Sequence, residues 1–183
     1  MIRAWRLARR VYSDPPASVA FDGRGAELFG NRWNPVGLPA AYASPHRALA
    51  ALEYLVHLDR HLVPADLVFS EVGFEDVDVE TAAPPVDWDI VGSPSAVAYG
   101  ERWIRQQRSL VLAVPSVILR SETNVVINPR HPRFSSSSFR PHWNRSFMTT
   151  AYFAGNARVA RPRAFEFRRS KGNSERRGLL MNP

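Results

Sequence analysis

Apolar and polar residues alternate over residues 2–8, with Ile2, Ala4, Trp5 and Leu7 as the apolar set. That pattern predicts an opening strand, with Arg6 projecting from it. Residues 9–19 read as loop around Pro15-Pro16. A short apolar strand is expected at residues 40–43. A helix should then start at Ser44-Pro45, with Ser44 as the cap and Pro45 where a missing N–H costs nothing. Leu49, Leu52 and Val56 recur at helical spacing and predict its buried stripe. A second strand is expected at residues 67–73. Residues 75–89 are acidic and proline-rich and read as a surface connection. Ser93-Pro94 repeats the helix-start chemistry, so a second helix should cover residues 96–107. Residues 110–114 read as a buried strand stopped by Pro115, and residues 124–128 as a shorter one stopped by Pro129.

Two well-started helices among several strands predict an α/β or α+β single domain. The texture changes after Phe134. Four serines follow, then scattered Arg, Pro, His and Trp, with no sustained period before residues 163–168. The expected division is a domain at 1–133 and a basic extension of little regular order at 134–183. Charge supports it. Residues 1–133 hold 14 Arg and no Lys against 15 Asp and Glu, whereas residues 134–183 hold 10 basic residues against two Glu. The formal net charge of +7 thus belongs to the extension. Any nucleic-acid argument concerns that segment, where Phe139, Trp143 and Phe147 interleave with Arg140 and Arg145. A solvated extension is the simpler reading. Cysteine is absent, which excludes disulfides and thiolate metal sites. No long uncharged apolar run suggests a membrane span, and the basic N-terminus lacks the apolar segment of a signal peptide. The expected location is the cytoplasm.

The candidate chemistry gathers in residues 21–57. Arg32 ends a glycine-containing loop, Tyr42 sits on the short strand, and Glu53 lies on the helix about 100° from Leu52, at the edge of the stripe. A guanidinium pairs bidentately with phosphate, but an arginine also pairs with surface carboxylates. Tyr42 could stack on a flat ring or simply fill the core with its hydroxyl satisfied. Glu53 needs a partner if buried, or is an exposed helix-face residue. Ser116 could bond a ribose hydroxyl or be a turn serine. No Gly-x-Ser-x-Gly elbow surrounds it. His131 reads as a loop brace. Glu53, His57 and His61 share a helix face at a spacing that suits zinc. No fourth ligand is evident, and His61 lies near the helix end, where histidine favours the dipole. The expectation is therefore no metal.

These residues stand in blocks: Asp22-Gly23-Arg24-Gly25-Ala26, Gly30-Asn31-Arg32-Trp33-Asn34, Tyr42-Ala43-Ser44, Ala48-Leu49-Ala50-Ala51-Leu52-Glu53, then Val114-Pro115-Ser116 and Asn128-Pro129 with His131-Pro132. Their order and spacing resemble the RES domain family, named for an arginine, a glutamate and a serine. One departure is Asn31, where the family pattern has glycine; asparagine tolerates a left-handed backbone better than most residues. The resemblance implies an ADP-ribosyltransferase-like fold with a small mixed sheet. It implies a toxin that depletes NAD by hydrolysis or phosphorolysis, or that transfers ADP-ribose to a protein. It also implies a partner antitoxin with a helix-turn-helix part, through which nucleic acid would be reached. NAD would be substrate, with phosphate as a possible acceptor. Glu53 would stabilise the ribosyl cation, Arg32 and Arg6 would hold the pyrophosphate, Tyr42 the nicotinamide end and Ser116 the ribose. Gly25 and Asn128 would complete the NAD-binding set.

Overall fold

The computed structural model describes residues 1–13, 17–58, 64 and 66–142. Among them are β1 (Ile2–Arg9), α1 (Arg24–Phe29), β2 (Ala41–Ala43), α2 (Arg47–Leu55), β3 (Leu67–Phe74), β4 (Val79–Thr81), α3 (Pro94–Gln106), β5 (Val111–Pro115), β6 (Thr123–Ile127) and β7 (Ser138–His142). No helix among these residues is long and apolar enough to cross a membrane. The strands form two sheets. One is antiparallel in the order β1-β3-β7. The other runs β2-β6-β5-β4, antiparallel except for the parallel β4–β5 pair.

Side-chain alternation builds the layers. Ala41, Ala43, Val111, Val125 and Ile127 of the second sheet meet Ala4, Val72 and Phe74 of the first. The opposite face carries Leu112, Val114 and Val126, which pack with Trp33, Ala96, Trp103 and Ile104. β5 thus contributes buried side chains to both faces, which explains its near-continuous apolar run. Each fully buried Leu or Ile is worth about 1.5–3 kcal/mol. The sheets are joined at one isolated bridge: Trp5 N–H donates to the Ser44 carbonyl at 2.7 Å, and Ser44 N–H donates back at 2.8 Å.

α3 begins as its sequence predicts. The Ser93 hydroxyl accepts from Ala96 N–H at 3.1 Å, with Pro94 in the first turn. α2 does not. Ser44 is spent on the bridge, and the helix starts two residues beyond Pro45, capped by His46, whose Nδ1 accepts from Leu49 N–H at 3.2 Å. Only Leu49 of the expected stripe is fully buried; Leu52 is half-buried and Val56 is exposed just past the helix end. Arg47 seats the helix on β1, its guanidinium 4.1 Å from the centre of the Trp5 ring.

Four further expectations are corrected. The glycine-containing loop includes α1, whose start is fastened by Asp22 accepting from Arg24 N–H at 2.8 Å. The acidic connection includes β4, a three-residue edge strand ordered by its partner β5. Pro115 lies inside β5 rather than beyond it. Regular structure resumes before residue 163: β7 pairs with β3, Val72 opposite Phe139. The strand-like segment at 164–168, and Trp143 and Phe147, lie outside the described residues.

Candidate active site

The Arg32 turn is fixed by its own backbone and by Tyr42. Gly30, at φ +67°, closes α1 in a conformation that glycine adopts without strain. Asn31 and Asn34 exchange backbone hydrogen bonds at 2.9 and 3.2 Å. Asn34 is fully buried, and its Nδ2 donates to the Ala26 and Leu38 carbonyls, both at 2.9 Å. The Tyr42 hydroxyl donates to Asn34 Oδ1 at 2.7 Å and accepts from Trp33 N–H at 3.1 Å. That hydroxyl is therefore a rivet of the turn. Burial pushes its pKa well up, against the opposing pull of Trp33 N–H, Arg32 and Arg6.

The turn presents Arg32. Its Nη1 donates to the carbonyls of Trp88 at 2.7 Å and Ile90 at 3.0 Å. Nε and Nη2 make no hydrogen bond among the described residues, so one edge of the guanidinium is free for an anion. Trp88 stacks on Trp33, ring centres 6.3 Å apart, and Tyr99 meets Trp33 edge-on at 6.1 Å. Asp89 pairs with Arg120. The segment around residue 88 is thus strapped across the turn. Arg6 approaches from β1, its Nη1 donating to the Tyr42 carbonyl at 3.0 Å. Burial lowers its pKa, while Asp22, Tyr54 and Tyr42 raise it. An arginine stays charged under such a load, so a second cation stands beside Tyr42.

Glu53 is held by two donors. Its Oε1 accepts from the Ser116 hydroxyl at 2.6 Å and from Asn124 Nδ2. Asn124 Oδ1 in turn accepts from the Ser44 hydroxyl at 2.7 Å. Ser116 is fully buried, and its oxygen also accepts from Ile118 and Leu119 N–H at 3.2 and 3.1 Å. Glu53 Oε2 has no hydrogen-bond partner among the described residues. Strand register explains the convergence. Asn124 lies opposite Val114, two residues before Ser116, and Tyr42 lies opposite Val126, two residues after Asn124. With a period of two, Tyr42, Asn124 and Ser116 share one face of the sheet.

Arg6, Arg32, Tyr42, Glu53 and Ser116 are therefore tied into one connected region. Among the described residues no hydrogen bond ties Gly25 or Asn128 to these five. Gly25 is exposed on α1, with nothing within 4 Å of where a Cβ would lie. Asn128 is fully buried, donating to the Ile104 carbonyl at 3.1 Å and accepting from Arg130 N–H at 3.0 Å. It lies about 13 Å along β6 from Asn124. His131 caps the short 3-10 turn at Pro132–Ser136. His57 is exposed, and His61 lies outside the described residues. No cluster of three metal-ligating side chains occurs among the described residues. Asn124, Ser44 and the two carbonyls over Arg32 escaped sequence reasoning. For Asn124 the available signal was a polar residue on the same strand face as Val126, ahead of an apolar run.

A mixed α/β domain with two cations and a half-anchored carboxylate in one region is the class that this geometry defines. The RES domain model matches residues 3–148, and the chain belongs to that family. The chain is 39% identical over 137 residues to the "Prs ADP-ribosylating toxin" of Sphingobium sp. (strain YBL2), covering 70% of this chain and 83% of that one. It is 35% identical over 133 residues to "Toxin Res" of Photorhabdus laumondii, covering 68% and 80%. Its fold is similar to a chain in the M. tuberculosis MbcT–MbcA toxin–antitoxin complex, at TM-score 0.54 and 17% identity over 76% of this chain and 81% of that one.

Proposed function

We propose that this RES protein is a toxin that breaks the nicotinamide–ribose bond of NAD. The observation that carries the reading is Glu53, pinned through Oε1 with Oε2 unpaired. When the C1″–N bond breaks, its electron pair leaves with nicotinamide as a neutral ring. The ribose is left with oxocarbenium character, as in glycoside cleavage. A fixed carboxylate at that carbon stabilises the cation and orients the incoming nucleophile. Water or phosphate then forms the new C–O bond; with water, a proton is released. The free edge of Arg32, supported by Arg6, suits the pyrophosphate. The Tyr42 ring packs the nicotinamide end while its hydroxyl holds the Arg32 turn. Ser116 serves the ribose through Glu53, since its own oxygen is occupied three times over. No step calls for a metal.

The second reading is ADP-ribosyl transfer to a protein side chain, favoured by the likeness to a relative named an ADP-ribosylating toxin. Both place catalysis in the cytoplasm, in residues 1–133, with residues 134–183 adding β7. The likeness to a chain solved in a toxin–antitoxin complex supports a partner antitoxin; a helix-turn-helix protein is the expected kind. The test is product analysis of the purified protein with NAD, with and without phosphate. ADP-ribose 1″-phosphate marks phosphorolysis, free ADP-ribose marks hydrolysis, and labelled protein marks transfer. NAD recovered intact under all conditions overturns the proposal.

A further inference from the structure

We propose that Asn124, oriented by Ser44, is a positioning residue that selects which oxygen of Glu53 faces the substrate. This rests on the reading of Glu53 as the working carboxylate. Asn124 is half-buried on the sheet face that also carries the core residues Leu112, Val114 and Val126. A polar side chain there must find partners or carry a desolvation cost. Asn124 finds two. It accepts from Ser44 Oγ at 2.7 Å and donates through Nδ2 to Glu53 Oε1.

The amide has a direction, and Glu53 sets it: a carboxylate only accepts, so Nδ2 faces it and Oδ1 is left to accept from the Ser44 hydroxyl. Turned over, it would set its carbonyl oxygen against an ionised carboxylate. Ser44 is itself buried and bonded through its backbone to Trp5 in both directions. Position is therefore passed from the first sheet through Ser44 and Asn124 to Glu53. Ser116 and Asn124 both bind Oε1, so the carboxylate cannot rotate without losing two charge-assisted bonds. Oε2 is left as the oxygen offered to the ribose. Asn124 acts through Glu53 and does not touch NAD.

The experiment uses the full chain with Asn124→Ala, isosteric Asn124→Asp, Ser44→Ala and the Ser44→Ala/Asn124→Ala pair. Misplacing the carboxylate in Asn124→Ala should lower kcat for NAD about 10- to 100-fold, with KM within about twofold. Asn124→Asp, which sets a second carboxylate against the first, should lose more. Ser44→Ala should lose less than Asn124→Ala and add nothing to it, because it acts through the amide. A raised KM with kcat kept, or multiplied effects in the pair, overturns the proposal. If Asn124→Ala does not fold, Asn124→Asp and Ser44→Ala carry the test. A second readout needs no turnover. In ¹⁵N NMR of the folded protein, the Asn124 side-chain amide signals should move on Glu53→Ala. Unmoved signals overturn the inference. Moved signals in a protein that leaves NAD intact sustain the placement and overturn only the NAD reading.

Discussion

Gly100 is the sharpest lever on this site, although it lies on α3 and bears no functional group. A Cβ built there would lie 2.0 Å from the Trp33 carbonyl oxygen, 2.7 Å from its carbon and 3.0 Å from the Trp33 Cα. All three are backbone atoms, so no side chain can swing aside. Gly100→Ala ought to gain about 1 kcal/mol in helix propensity. Against this, the helix and the turn must part by about 1 Å or more, and overpacking costs about 1–3 kcal/mol even where side chains can yield. With backbone atoms that cannot yield, the cost lies at the upper end of that range and the clash should win, for a net loss of about 2 kcal/mol. For a chain of this size each kcal/mol lowers Tm by about 2–4 °C. The shift is directed, because Trp33 follows Arg32 and stacks on Trp88. Turnover of NAD below the transition should therefore fall by more than the unfolded fraction explains. Thermal melts by circular dichroism and NAD consumption at 20–25 °C (about ambient) are the assays. A Gly100→Ala protein melting at or above the parent temperature would refute the reasoning.

Glu53→Gln keeps the shape and an oxygen for Ser116 but loses the charge. NAD cleavage should drop at least about 100-fold while calorimetry still records NAD binding. Arg32→Lys cannot span both carbonyls and a phosphate, so KM for NAD should rise about tenfold or more and the segment around Trp88 should become more sensitive to protease. Tyr42→Phe leaves Trp33 N–H and Asn34 Oδ1 without their partner, at a cost of about 1–3 kcal/mol by urea denaturation. Because the folded pKa of Tyr42 lies above the 10.0 of a free phenol, its folded form keeps a proton that the unfolded chain releases. That contribution is whole below about pH 10 and declines as pH rises further, so Tyr42→Phe should flatten the alkaline loss of stability.

Legibility followed locality. α3 was readable because its cap, its first-turn proline and its buried face lie within one segment. β5 was readable because it is apolar on both sides. The start of α2 was not, since Ser44 had to serve Trp5 and Asn124, and both demands arise from distant strands. β4 and β7 owe their order to the neighbours they pair with. At the site, Arg32, Tyr42, Glu53 and Ser116 could be named from motif spacing, which also drew in Gly25 and Asn128, for which no hydrogen bond to that region occurs among the described residues. Asn124 could not be found that way, because its role depends on register with β2 and β5.

The anchoring of Glu53 also has a tempo. Its two donors lie 63 and 71 residues further along the chain. Synthesised from the N-terminus at about 5–20 residues per second, the glutamate emerges roughly 4–14 seconds before the asparagine that holds it. Through that interval the nascent polypeptide carries its carboxylate but not the means to aim it. For a protein that we read as dangerous to the cell making it, the delay is a built-in interval of harmlessness.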